Sequence, residues 1–120
     1  MGMQYTFVTT LVAWLCGAPL AQAQVAAPAG DAAKGQRIYG VVGCDLCHGT
    51  VGQGGRPSGP RIAPNPIPYE GFVQQVRRPA NTMPPYTAVV LSEQDLVDIY
   101  AYLRTIPPPV DAKAASILDH

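Results

Sequence analysis

The chain has 120 residues, which is enough for a single domain. Eight basic and eight acidic residues give a formal net charge of zero, which excludes the strongly basic surface of a nucleic-acid-binding protein. Thirteen prolines and twelve glycines leave little room for a large apolar core, so we expect the fold to need a stabilising element beyond its apolar packing.

The beginning of the chain predicts a secretory leader. Residues 6–20 are apolar and uncharged, and residues 21–23 read A-Q-A, the small-x-small pattern of a cleavage site. We therefore expect a signal peptide over residues 1–23, export to the periplasm and a flexible segment over residues 24–30. An uncleaved membrane anchor is the alternative, although the apolar run is shorter than the ~20 residues that a spanning helix needs.

The first predicted helix covers residues 31–39, with Asp31 as its N-cap and a glycine at its end. Gly35 lies in the middle of this helix, where glycine costs up to ~1 kcal/mol relative to alanine. Its presence indicates that another helix crosses closely at this point. The last helix of the chain is the expected partner, with Tyr100 or Tyr102 lying across Gly35.

Residues 44–48 read C-D-L-C-H, and C-x-x-C-H is the attachment signature of a covalently bound haem. Cysteines three residues apart on one helical turn direct both sulfurs to the same side, so Cys44 and Cys47 can form thioethers to the two vinyl groups of one porphyrin. His48 follows directly and can ligate the iron through a neutral ring nitrogen. Asp45, on the turn between the cysteines, is expected to be solvated.

Two other interpretations of this motif are a zinc site and a redox disulfide. A structural zinc site needs four ligands, but the chain after its leader has no third cysteine, and its second histidine is His120 at the very end. A thioredoxin-like C-x-x-C belongs between a strand and a helix, whereas the flanks here are glycine-rich without strand alternation. The haem interpretation is therefore preferred.

Residues 49–68 are rich in glycine and proline, which predicts an extended segment without regular structure. A metal-bound histidine usually donates its second ring proton to an acceptor, and we expect the carbonyl of Pro60 to accept from the motif histidine. Arg61, or Arg77 and Arg78, are candidates to face a haem propionate, with solvated surface arginine as the alternative.

A short helix over residues 69–78 is expected to pack at the edge of the haem and to end at Pro79. Met83 follows on a loop and precedes two prolines, which hold it outside helix and strand so that its thioether can point at the iron. A loop methionine is more often a packing residue. Beside a haem motif, however, Met83 is the only candidate, because the other two methionines lie in the leader.

The last predicted helix has the strongest signals. Ser92 is its expected N-cap, Asp95 the reciprocal acceptor of a capping box, and the prolines at 107–109 stop it. Its apolar residues recur at helical spacing and are expected to form core: Leu96, Ile99, Tyr100 and Leu103. The folded domain is thus predicted over residues 31–110, with a tail over 111–120.

Taken in order, these features resemble a class I cytochrome c, over nearly the whole mature chain. The resemblance implies an all-α fold of three to four short helices and proline-rich loops around one covalent haem c. Residue by residue, it implies thioethers from Cys44 and Cys47, axial iron bonds from His48 and Met83, and a supporting hydrogen bond to Pro60.

The resemblance also implies a function, the transfer of single electrons between periplasmic redox proteins without catalysis. The stretch 69–86 is similar to small single-haem proteins that accept electrons from periplasmic dehydrogenases, so we expect a dehydrogenase as donor, with an oxidase or another cytochrome as further partners. Expected contact residues are Val41, Val42, Leu46, Ile62 and Pro85. A haem enzyme or gas sensor with an open sixth coordination site, in which Met83 is structural, is the alternative. Membrane contact is expected only if the leader is uncleaved.

Overall fold

A computed structural model describes Met1 and residues 26–55 and 59–110. This part of the chain contains four helices, α1 (Ala32–Val41), α2 (Cys44–His48), α3 (Tyr69–Arg77) and α4 (Glu93–Thr105), and no strand beyond an isolated bridge between Gly55 and Gly59. The predicted all-α fold is confirmed. The described helices include none that is long and apolar enough to span a bilayer. The predicted leader, apart from Met1, and the predicted tail lie outside the described residues, so the proposed domain boundaries stay predictions.

The helix ends follow the capping residues named from the sequence. The Asp31 side chain accepts from the backbone N–H of Lys34 at 2.9 Å. At the start of α4, Ser92 and Asp95 form a reciprocal capping box. Helix α1 runs to Val41, two residues beyond its predicted end, because the backbone continues in helical form through Gly40.

Helices α1 and α4 cross in direct backbone contact at Gly35. A Cβ atom placed on Gly35 would overlap the carbonyl of Asp98, so the predicted close crossing is present. The expectation that Tyr100 or Tyr102 lies opposite was wrong. Because Gly35 has no side chain, the α4 backbone at Asp98 and Ile99 lies closer to the α1 backbone than a tyrosine ring between them would allow.

The crossing buries a carboxylate that joins the two helices. Asp98, only 1% exposed, accepts hydrogen bonds at 2.9 Å from the backbone N–H of Asp31 and from the Gln94 amide. Its other oxygen lies 2.9 Å from the Lys34 ammonium. The hydrogen bond from Lys34, supported by those from Asp31 and Gln94, lowers the pKa of Asp98.

Tyrosines connect this helical pair to the irregular segment. Tyr39 and Tyr102 pack against each other with ring centroids 5.6 Å apart, and both belong to the buried core. The hydroxyls of three buried tyrosines donate to backbone carbonyls of residues 49–67: Tyr39 to Gly49 at 2.8 Å, Tyr102 to Thr50 at 3.1 Å and Tyr100 to Ile67 at 3.1 Å. Side chains of α1 and α4 therefore determine where this segment lies.

We expect Gly35→Ala to lower the free energy of unfolding by about 1–3 kcal/mol, because the added methyl group overpacks the backbone contact with α4. Gly40→Ala, in the same helix, is the matched control, since a Cβ there meets nothing within 4 Å. The control should be neutral or stabilising by up to ~1 kcal/mol. Urea unfolding of the purified protein checks both; similar effects of the two substitutions would contradict the crossing.

The lowered pKa of Asp98 predicts a pH-dependent contribution to stability. A carboxylate stabilised in the folded state contributes above its ordinary pKa of 3.8, and this contribution is lost as the pH falls through the lower folded value. Asp98→Asn should therefore be less stable than the wild type at neutral pH, and the difference should shrink below about pH 4.

Urea unfolding at several pH values measures this difference. Lys34→Met should reduce the same acid-dependent contribution, because its ammonium is the main partner of Asp98. Arg37 is an exposed cation on the same helix, and Arg37→Met should leave the acid-dependent contribution unchanged. A pH-independent difference between the wild type and Asp98→Asn would refute the ion pair.

Candidate functional site

A cavity of about 670 Å³ opens between α2, α3 and the loop that follows α3. Its volume is in the range of small-molecule and cofactor sites, and its walls are mostly apolar. Every residue named from the sequence as cofactor-binding lines it: Cys44, Cys47, His48, Pro60 and Met83. Three separate stretches of the chain thus converge on one cavity.

Helix α2 carries the C-x-x-C-H motif on a little more than one turn. Gly43, with a φ of 80°, reverses the chain after α1 and starts the turn. Cys44 is partly buried against the core, whereas Cys47 is exposed, and neither thiol is in a disulfide. Burial raises the pKa of the Cys44 thiol to about 11, so this thiol is protonated at neutral pH.

His48 is held by a hydrogen bond across the segment that follows it. Its Nδ1 lies 2.8 Å from the carbonyl oxygen of Pro60, the contact predicted from the sequence. A carbonyl only accepts, so the proton of a neutral ring resides on Nδ1 and Nε2 keeps its lone pair. This tautomer is the one that a metal requires at Nε2.

Gly59 allows the backbone at Pro60 to come within hydrogen-bond distance of His48. A Cβ on Gly59 would lie 3.1 Å from His48 Nδ1 and 2.7 Å from the carbonyl oxygen of Cys47. The glycine before Pro60 therefore lets the loop backbone pass directly beside the histidine.

Met83 belongs to a loop that α3 fixes at both ends. Its sulfur lies 3.8 Å from Nε2 of Gln75. Beyond Met83, the N–H of Tyr86 donates to the carbonyl of Val76 at 3.0 Å, and the Arg77 guanidinium donates to the carbonyl of Tyr86 at 2.9 Å. The Met83 side chain is half-buried against the core, so these bonds hold it at the cavity wall.

The Tyr86 hydroxyl also donates to the carbonyl of Val42, at 3.0 Å, and so ties the methionine loop to the segment just before α2. Neither Gln75 nor Tyr86 was singled out from the sequence as a functional residue. The only sequence feature that could have indicated a role for Tyr86 was its position directly after two prolines. No sequence feature indicated a role for Gln75.

Asp45 differs from its prediction. It is half-buried rather than solvated, and its Oδ1 is enclosed without a hydrogen-bond partner among the described residues. Burial raises the pKa values of Tyr39 and Cys44, and charge on Asp45 adds to this effect, for Tyr39 after the charges of Cys44 and Tyr102.

The three candidate arginines occupy different positions. Arg77 is not among the residues that line the cavity, and its guanidinium binds the Tyr86 carbonyl and the Glu93 carboxylate, the latter at 2.6 Å. Arg78 lies in a separate groove with Tyr69 and Glu70. Arg61 is exposed and lines the cavity, and so remains the candidate for an anionic group there.

The surface beside the motif is apolar in part. Val41 is 87% exposed and Leu46 80% exposed, and Pro85 is also exposed. Val42 and Ile62, the other two expected contact residues, are instead partly buried against the core. Val41, Leu46 and Pro85 are therefore the more exposed of the five predicted positions.

The donor set at the cavity fits a haem c. Two thiols at C-x-x-C spacing, an imidazole with a free Nε2 and a thioether are the groups that attach and ligate such a cofactor. The residues that the structure describes contain no cluster of three or more His, Cys, Asp or Glu side chains that could hold a metal ion by themselves.

The helical fold and the cavity define a small c-type cytochrome domain. A family model described as "Cytochrome C oxidase, cbb3-type, subunit III" matches residues 30–103, more than half of the chain, and the chain belongs to this family. It is a class I monohaem c-type cytochrome, as the sequence resemblance implied, and the family implies haem c and an electron-carrying role. No curated protein and no solved structure gave a significant match.

We expect Gly59→Ala to displace Pro60 from His48 and to lower the free energy of unfolding by about 1–3 kcal/mol, because the new methyl group meets main-chain atoms of Cys47. Gly71→Ala is the control: it lies within α3, and its nearest neighbour is the Ile67 side chain at 3.6 Å. Chemical denaturation gives the stability. Nitrogen NMR of His48 should report the weakened bond in Gly59→Ala only, and unchanged signals there would contradict the contact.

Proposed function

We propose that this protein is an exported electron carrier with one haem c, which takes single electrons from a periplasmic dehydrogenase and passes them to another redox protein. In this proposal Cys44 and Cys47 form the thioethers, and His48 and Met83 are the axial ligands. Pro60 orients His48. The removal of a signal peptide over residues 1–23 and the periplasmic location are part of the proposal.

The observation that carries the proposal is the meeting of these five residues at one apolar cavity. They come from α2, from the segment after it and from the loop after α3. The His48 tautomer leaves Nε2 available, and the methionine loop is held by hydrogen bonds at both ends. Packing alone requires neither of these features.

Bound haem supplies one-electron iron chemistry, and the chain's own residues adapt it to electron transfer. A neutral imidazole and a thioether suit both iron oxidation states, and the thioether raises the reduction potential. The hydrogen-bonded ring and the fixed loop keep both donors in place, so little reorganises when an electron moves. The apolar walls exclude water from the iron.

Partner contact in this proposal is brief and small, with an apolar centre and a polar rim. Val41, Leu46 and Pro85 are exposed and supply the apolar centre in this proposal. The sequence resemblance supports a dehydrogenase as donor. The family description, subunit III of a cbb3-type oxidase, makes an oxidase a candidate acceptor.

We expect the purified oxidised protein to be low-spin and to show the long-wavelength sulfur-to-iron absorption band, because Met83 fills the sixth position. Met83→Ala should lose the band and lower the reduction potential, since a thioether favours ferrous iron. Met83→His should remain low-spin without the band. Optical spectroscopy and a redox titration check these outcomes, and alkaline pyridine confirms that the haem stays attached after denaturation.

A high-spin wild-type spectrum with fast carbon monoxide binding would instead support the haem enzyme or gas sensor. Absence of haem absorbance in alkaline pyridine, from protein made with the attachment machinery, would exclude both haem functions.

A further inference from the structure

We propose that Arg77 is a positioning residue for the methionine loop, residues 79–86: its guanidinium holds the end of this loop and so keeps Met83 on the iron. The inference rests on the proposed function, in which Met83 is an axial ligand. It deepens that function, because it assigns the stability of the axial bond from Met83 to a side chain that does not line the cavity.

The Arg77 guanidinium lies between three parts of the fold. Its Nη1 donates to the carbonyl oxygen of Tyr86 at 2.9 Å, and its Nη2 donates to Oε1 of Glu93 at 2.6 Å. Arg77 is the last residue of α3, and Glu93 is the first residue of α4. One side chain therefore joins the end of α3, the end of the methionine loop and the start of α4.

The two bonds of Arg77 differ in how strongly they hold the loop. The Arg77 side chain is 18% exposed, whereas that of Glu93 is 68% exposed. An ion pair with an exposed partner contributes little, because water and salt screen the charges. A hydrogen bond from a charged donor is stronger than one between neutral groups, and the bond to Tyr86 is partly buried. The Tyr86 carbonyl is thus the main contact, and Glu93 orients the guanidinium towards it.

Two prolines transmit the position of Tyr86 to Met83. Pro84 and Pro85 separate the two residues, and a proline ring fixes φ at about −65°. The N–H of Tyr86 also donates to the carbonyl of Val76 at 3.0 Å. Consecutive residues of α3 therefore hold both main-chain polar groups of Tyr86, and the stiff link before it leaves the Met83 thioether little freedom to move away from the cavity wall.

Loss of the Arg77 contact raises the fraction of molecules in which the loop is open. Local opening of a loop costs less free energy than global unfolding, and it depends on few contacts. A ligand from solution replaces Met83 only while the loop is open, so its apparent affinity falls in proportion to the open fraction. Binding of imidazole to the ferric protein therefore measures how well the loop is held.

The test compares Arg77→Met with Arg78→Met in the haem-loaded ferric protein. Both substitutions remove one positive charge at the end of α3, and Arg78 is an exposed residue. Arg77→Lys is the second variant, because it keeps the charge but loses the fork that reaches two acceptors at once. Glu93→Gln removes only the charge of the carboxylate. Three quantities are measured: the imidazole dissociation constant, the sulfur-to-iron band and the free energy of unfolding in urea.

We expect Arg77→Met to lower the imidazole dissociation constant roughly tenfold, the scale of one hydrogen bond from a charged group. Arg77→Lys should give an intermediate value. Glu93→Gln should lower the constant at most about fivefold, the scale of an exposed ion pair. Arg78→Met should leave it unchanged. Without imidazole, all four variants should keep the sulfur-to-iron band, because the closed loop remains the major state.

A wild-type imidazole dissociation constant in both Arg77 variants would overturn the inference while leaving Met83 as a ligand. A lower free energy of unfolding in these variants with an unchanged dissociation constant would also overturn it, because Arg77 would then stabilise only the fold. Equal effects of Arg77→Met and Arg78→Met would show a general effect of charge and overturn it too. If the wild-type protein itself lacks the sulfur-to-iron band, the ligand assignment fails, and the proposed function and this inference fail with it.

Discussion

The backbone contact between α1 and α4 at Gly35 is the constraint on which the other contacts depend. It brings Asp98 within reach of Lys34 and of the Asp31 N–H, which locks the two helices together. The locked pair presents Tyr39 and the tyrosines of α4 to the segment after α2. Gly35 and Asp98 lie outside the lining of the cavity, whereas Ile99 of the same crossing lines it, so a change at Gly35 would reach the site through packing.

Much of this arrangement could be predicted because it depends on local rules. The caps at Asp31 and Ser92 follow from the need of helix ends for side-chain acceptors. Gly35 indicated a crossing because glycine is otherwise costly in a helix. The contact between His48 and Pro60 followed from the general requirement that a ligand histidine be oriented by an acceptor.

The features that the sequence did not predict share a different physical origin, since each concerns which long-range partner a side chain finds. An arginine near a cavity can bind any carbonyl or carboxylate, and Arg77 binds those of Tyr86 and Glu93. Asp45 could face water or the protein from its turn, and packing of α2 against α1 decides the outcome. Gln75 had no sequence signal, because its contacts depend on the path of a loop that forms no regular structure.

The anchoring of the irregular segments by phenol groups has a consequence for how freely these segments can change. In each case the acceptor is a main-chain carbonyl, and four tyrosines, the three from the helical pair and Tyr86, follow this pattern. All amino acids offer that acceptor. Substitutions in the segments that keep the backbone path therefore preserve every anchor, and the same scaffold can carry a different outer surface without rebuilding its interior.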